Sequence, residues 1–155
     1  MGIDILEELP SLRAGQKGFG HGHDIVGSRQ IESDAPAGVY VHISGGGLCD
    51  LPGTTGEVTE GTGGVLLNLA DRIANANELE YAADDYVQYL EEGVVVVITD
   101  QAVNDGDAAF VRFVAGGGEQ LGAFRKDADT ADAVALPGAF FVGTYSAGLA
   151  KVRLR

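Results

Sequence analysis

The sequence predicts an all-β protein: an antiparallel sandwich or barrel-like body with an extended N-terminal arm. Three observations lead there. Val94–Ile98 is a run of five β-branched residues, which suits a strand buried on both faces and makes poor helix. At least seven short strand-like segments are divided by glycine and proline turns, the spacing of a sandwich or barrel. The first 24 residues hold no sustained hydrophobic period, and four glycines fall between Gly15 and Asp24.

Taken in order, Ile3, Ile5, Leu6 and Leu9 form at most one amphipathic turn, stopped at Pro10. The stretch GQKGFGHGHD (15–24) would lose much backbone entropy by folding alone and is expected to order on a partner. Residues 1–30 are therefore read as an arm and 31–155 as the β-rich body. Fully extended, thirty residues reach on the order of 100 Å. Val39–Ser44 alternates as a strand, and Gly64–Leu69 is read as a short one, although Leu66, Leu69 and Ile73 also fit helical spacing. Tyr86–Leu90, Val94–Thr99 and Ala108–Val114 follow as three strands, turned at Glu91-Glu92-Gly93 and at Asn104-Asp105-Gly106-Asp107. After a short segment Leu121–Arg125, a polar loop (127–133) and a turn at Ala135-Leu136-Pro137-Gly138 lead to two closing strands, Ala139–Tyr145 and Leu149–Leu154. In the last, Leu149, Lys151 and Arg153 alternate with Ala150, Val152 and Leu154, giving one basic face and one that can be buried.

The net charge of −13 is uneven: −1 over residues 1–30, −14 over 31–107 and +2 over 108–155. So acidic a body repels phosphate backbones, which argues against a nucleic-acid partner. No apolar run approaches the ~18–20 residues of a membrane helix, and MGIDILEELP lacks the basic start and apolar core of a signal peptide, so no membrane association is expected. The single cysteine, Cys49, excludes an internal disulfide and fits synthesis in a reducing cytoplasm.

Few residues suggest chemistry. His21-Gly22-His23-Asp24 offers two or three metal ligands, fewer than a structural zinc site uses. Gly18-Phe19-Gly20 follows no strand and opens no helix, so it is no nucleotide loop. Asn104-Asp105-Gly106-Asp107 and Asp127-Ala128-Asp129 look like pieces of calcium loops, yet neither supplies the closing Glu, and turn formation explains both. No serine sits in a nucleophile elbow, and Cys49 has no base beside it in sequence. The reading is of a non-enzyme with no catalytic residue, no metal and no cofactor.

Three stretches carry a resemblance. They are YAADD (81–85) leading into VQYLEEGVVVVIT, QAVNDGDAAFVRFVAGGG, and LGAFRKDADTADAVALPGAFFVGTYSAGLAKVRL. In that order they resemble the C-terminal half of the capsid cement, or head decoration, proteins of tailed bacteriophages. The resemblance covers residues 80–155 and, more loosely, 31–70. It departs at Asp85, where the family often has glycine, in the valine strand, where the family has an aromatic, and in the unmatched HGHD segment.

The resemblance implies a virion structural protein, made in the host cytoplasm, that binds the outside of the assembled major-capsid lattice as a homo-trimer or homo-dimer and stabilises it. On that reading Phe19, His21, His23 and Ile25 are the expected arm contacts. Arg112, Arg125, Lys151 and Arg153 are expected to make polar contacts within the oligomer or to the capsid. Two other classes remain open at the sequence level. One is a β-sandwich recognition module for carbohydrate or protein, thinly supported with no Trp and five Tyr. The other is a small metal-dependent hydrolase using His21 and His23.

Overall fold

Strands form where β-branched and aromatic residues cluster, and one run is longer than its punctuation suggests. The computed structural model describes residues 12–18, 24–60, 62–68 and 80–155. Its elements are β1 (Ile25–Gln30), β2 (Ala35–Pro36), β3 (Tyr40–Ile43), β4 (Cys49–Asp50), α1 (Thr55–Thr59), β5 (Gly63–Leu66), β6 (Glu80–Tyr81), β7 (Tyr86–Thr99), β8 (Ala108–Arg112), β9 (Phe124–Arg125), β10 (Ala133–Phe141) and β11 (Gly148–Leu154). The short helix α1 is held by a reciprocal cap: Glu57 N–H donates to Thr54 Oγ1, and Thr54 N–H donates back to the Glu57 carboxylate.

Glu91-Glu92-Gly93 does not turn the chain as expected. Tyr86–Thr99 is one strand of 14 residues, and the break in pattern is a bulge within it. Ile25 of β1 stands opposite Glu92 while Val26 stands opposite Leu90, leaving Glu91 as the extra residue, and Gly93 takes φ 130°. The consequence is visible in the core. Val87 and Tyr89 pack into one buried cluster with Ile31, Val39, Val41 and Cys49, whereas Val95 and Val97 pack into the other with Val111, Phe124, Phe141 and Val152. The strand serves one core with each face, and the inserted residue switches the parity, so that Val95 and Val97 join Leu90 instead of following Val87 and Tyr89.

The second half of β7 belongs to a closed ring. β11 pairs antiparallel with β7, β10 with β11, β8 with β10 and β9 with β8, and β9 returns to β7 through the parallel pair Thr99↔Phe124. The body is therefore barrel-like, its ring closed by one parallel seam among antiparallel pairs. The first half of β7 carries β1 on one edge and β5, β3 and β4 beyond the other. Ala135-Leu136-Pro137-Gly138, expected as a turn, lies inside β10. Ala135 pairs with Phe110 and the next pair is Phe140 with Ala108, so residues 136–139 bulge out opposite one residue of β8.

The arm expected over residues 1–30 does not end where packing begins. Ile25–Gln30 is strand β1, hydrogen-bonded to β7. Upstream, Gly15 N–H donates to Val96 O at 2.8 Å, Val96 N–H donates to Gln16 O at 2.8 Å and Gly18 N–H donates to Val94 O at 2.7 Å. The cause is the backbone of the valine run, whose buried groups require partners that these residues provide.

Candidate functional site

Two surfaces concentrate the chemistry of this chain, and they differ in how far their charges are satisfied. The first is a knot of ion pairs beside the ends of β7, β8 and β9. Arg112 closes β8 and is fully buried, and Arg125 closes β9 at 8% exposure. Arg112 Nη2 donates to Asp100 Oδ2 at 3.0 Å and to Asp129 Oδ2 at 2.5 Å, while Arg125 Nη1 donates to the same two oxygens at 2.9 Å each. Arg125 also clasps Asp127 Oδ1 through Nε and Nη2, at 3.0 and 2.8 Å, and Arg112 Nη1 lies 2.9 Å from Glu119 Oε2. Burial disfavours the charge on Arg112, but the hydrogen bonds it donates to Asp129 and Asp100 outweigh that and hold its pKa above the ordinary value.

That knot holds an unusual backbone. Asp129, Thr130 and Ala131 run in succession at φ 43°, 57° and 88°, a conformation side chains disfavour by roughly 1–3 kcal/mol per residue. The Asp129 carboxylate reaches both arginines from this strained turn, so the ion pairs and the turn hold each other. Arg112 and Arg125, expected to reach across to another molecule, instead satisfy carboxylates of their own chain. Sequence spacing could not foresee this, because Asp100, Glu119 and Asp129 come from three different loops.

The second surface is the outward face of β10, β11 and β7. Phe140 pairs with Arg153, and Arg153 pairs with Val94, so the three form one row across three strands. Phe141 is fully buried while Phe140 is 39% exposed. Lys151 is half-buried and Arg153 exposed, on the side of β11 opposite the buried Ala150, Val152 and Leu154, as the alternation predicts. Beside this row opens a groove of about 940 Å³. Phe140 and Arg155 are its features that sequence reasoning missed; the alternation through AFFV was the available signal for Phe140.

Among the expected arm contacts, Ile25 begins β1 and is 46% exposed, next to Val26 at 42%. Phe19, His21 and His23 lie outside the described residues. No group of three or more His, Cys, Asp or Glu is placed to hold a metal ion among the described residues. His42 stands 3.7 Å from Glu57 as a lone pair. Cys49 is buried in the core, and burial, followed by the neighbouring Asp50, pushes its thiol up to about 11. A thiol so placed stays protonated at neutral pH and is no nucleophile.

A family model described as structural cement protein (E217 gp24/Pam3 gp6) matches residues 5–155. The chain belongs to the phage structural cement protein family. As a cement protein it is a component of the virion that associates with the capsid, and a structural family of this kind points away from enzymes. Its fold agrees. A solved chain from the capsid of Myoviridae phage XM1 superposes with a TM-score of 0.72 at 16% identity, covering 100% of this chain and 97% of that one. No curated protein matches it. In this cement protein the ion-pair knot is a fold-holding device, whereas Phe140 and Arg153 stand exposed and Arg153 makes no ion pair among the described residues.

Proposed function

We propose that this chain docks on the outer face of an assembled phage capsid, against the major capsid protein, and holds the expanded shell against the pressure of packaged DNA. The observation that carries the reading is the family match from residue 5 to residue 155. The mechanism is mass action: a protein that binds only the expanded lattice stabilises it by about 2.7 kcal/mol per site at a hundredfold excess over Kd. Symmetry repeats that gain over every site, and association as a homo-trimer or homo-dimer adds avidity. Catalysis has no part in it. The protein is made in the host cytoplasm and ends on the capsid exterior. The N-terminal arm supplies part of the contact, through Phe19, His21, His23 and Ile25, and Lys151 and Arg153 supply polar contacts.

The test mixes purified expanded shells lacking this protein with the full chain and with a Phe19→Ala/His21→Ala/His23→Ala variant, reading occupancy by sedimentation and the melting of the shell. The full chain is expected to saturate the shells and raise their melting temperature, and the triple variant to bind more weakly. No binding by the full chain would end the docking reading. Full occupancy by the variant would remove those three arm residues from it.

A further inference from the structure

We propose that the groove along β10 and β11 seats an extended, acidic segment of the shell protein, with Arg153 and Arg155 meeting its carboxylates and Phe140 meeting an apolar side chain. This rests on the cement reading above and adds where the shell is gripped and by what chemistry.

Three observations converge on the groove. The first is unspent charge. Among the described Lys and Arg residues, Lys17, Arg112 and Arg125 are ion-paired, whereas Arg13, Arg29, Lys126, Lys151, Arg153 and Arg155 make no ion pair. Three of those six fall within five residues at the end of the chain described, in a protein with 23 acidic residues. Among the described residues two carboxylates also line the groove, Asp24, which is held by Lys17 at 2.6 Å, and Glu92. On so acidic a molecule a cationic strip is where an anionic partner is repelled least and attracted most.

The second observation is the exposed ring. Phe140 sits beside Arg153 in register, and the pair presents an apolar plate next to a cation. Anchors of this composition are what interfaces use at their centre. The third is room for a backbone. Gly106, Ala108, Ala135 and Ala139 line the groove with side chains no larger than a methyl, and the Arg155 side chain lies across Gly138. The bulge at 136–139, turned by Gly138 at φ 72°, sets Leu136 and Pro137 along the groove, with Leu136 also packed against the core. An extended segment fits such a trough, and a helix about 10–12 Å across is a poor match.

The probe is purified expanded shells lacking this protein, titrated with the full chain and its variants at two salt concentrations. Phe140→Ser and Arg153→Glu/Arg155→Glu are each expected to bind at least about ten-fold more weakly. The double variant should also lose most of the salt dependence. Arg153→Lys/Arg155→Lys should restore binding, and Arg29→Glu/Lys126→Glu, with the same change in net charge, should bind as the parent does. All these side chains point away from the core, and unchanged melting of each variant checks that. If the parent binds shells and the groove variants bind equally well, the groove proposal is overturned while the cement reading stands. If the parent does not bind, both fall. If the groove variants hold the shell normally but drop in mass by light scattering, the occupant is a second copy and the proposal is overturned.

Discussion

Gly27 of β1 stands directly opposite Tyr89 of β7, and the Tyr89 ring occupies the space a Cβ on Gly27 would need. Tyr89 is fully buried in the cluster that also holds Cys49 and Val87. Glycine is required here by packing, and β1 can lie on β7 only because nothing projects from that position. Gly27→Ala is expected to cost about 1–3 kcal/mol by forcing the ring or the strand aside. Urea denaturation measures it, and amide exchange should quicken in Ile25–Gln30 before the rest of the sheet. Gly45, which has nothing within 4 Å of its Cβ direction, is the control, with Gly45→Ala within about 0.5 kcal/mol of the parent.

Removing Arg112 should be far more harmful than removing an exposed arginine. Arg112→Ala strips a fully buried cation from Asp100, Asp129 and Glu119, whose side chains are 18%, 33% and 40% exposed. Loss of one partner from a buried pair costs about 3–5 kcal/mol, and the partial exposure of the acids places this case at the lower end. In a double-mutant cycle with Asp129→Ala the coupling is expected at about 1–3 kcal/mol. Additive losses would show that the two residues act independently.

Acid should loosen the knot and the helix cap in one direction. Burial pushes the Asp127 carboxyl up, but hydrogen bonds from Arg125 and Gln101 and the Arg125 charge outweigh it, leaving the pKa below the ordinary 3.8. Glu57 is likewise held below 4.5, first by the Gly53 backbone amide. A carboxyl whose folded pKa is depressed stabilises the fold above its unfolded value and loses that contribution as pH falls through the folded one. Stability is therefore expected to be level from neutral pH to about pH 5 and to decline below it. Asp127→Asn should flatten part of that decline, and only modestly, because solvent screens the half-exposed pair. A melting temperature unchanged between pH 6 and pH 2.5 would contradict it.

Cys49 should be chemically silent in the folded protein. It is fully buried, with its thiol pushed up to about 11. A disulfide thiol reagent at pH 8 is expected to label it only at the rate of global opening, and at once in denaturant. Rapid labelling without denaturant would show that β4 detaches from the core.

Much of this molecule was legible in neighbouring residues. The valine run, the Asn104–Asp107 turn and the in-out alternation of β11 all stand as read, because each depends on propensity and period within a few residues. The turn expected at Glu91-Glu92-Gly93 became a bulge for a reason local sequence does not carry: β1 stays paired across it, and a paired strand continues where an isolated one would turn. Arg112 and Arg125, expected to make polar contacts within the oligomer or to the capsid, are buried in ion pairs of their own chain on the same account. In isolation an arginine in a strand looks exposed, and only the convergence of three loops supplies the carboxylates that bury it.

The sequence by itself determined the all-β class, the acidic character and the family, since composition, β-branched runs and ordered motifs are properties of the chain before it folds. Tertiary structure decided which charges are free. Ion pairing depends on strands and loops separated by tens of residues, and register alone brings Phe140, Arg153 and Val94 into one row. The same physical reason hides the unpaired strip of Lys151, Arg153 and Arg155 in one dimension: which cations stay free depends on which ones the fold pairs.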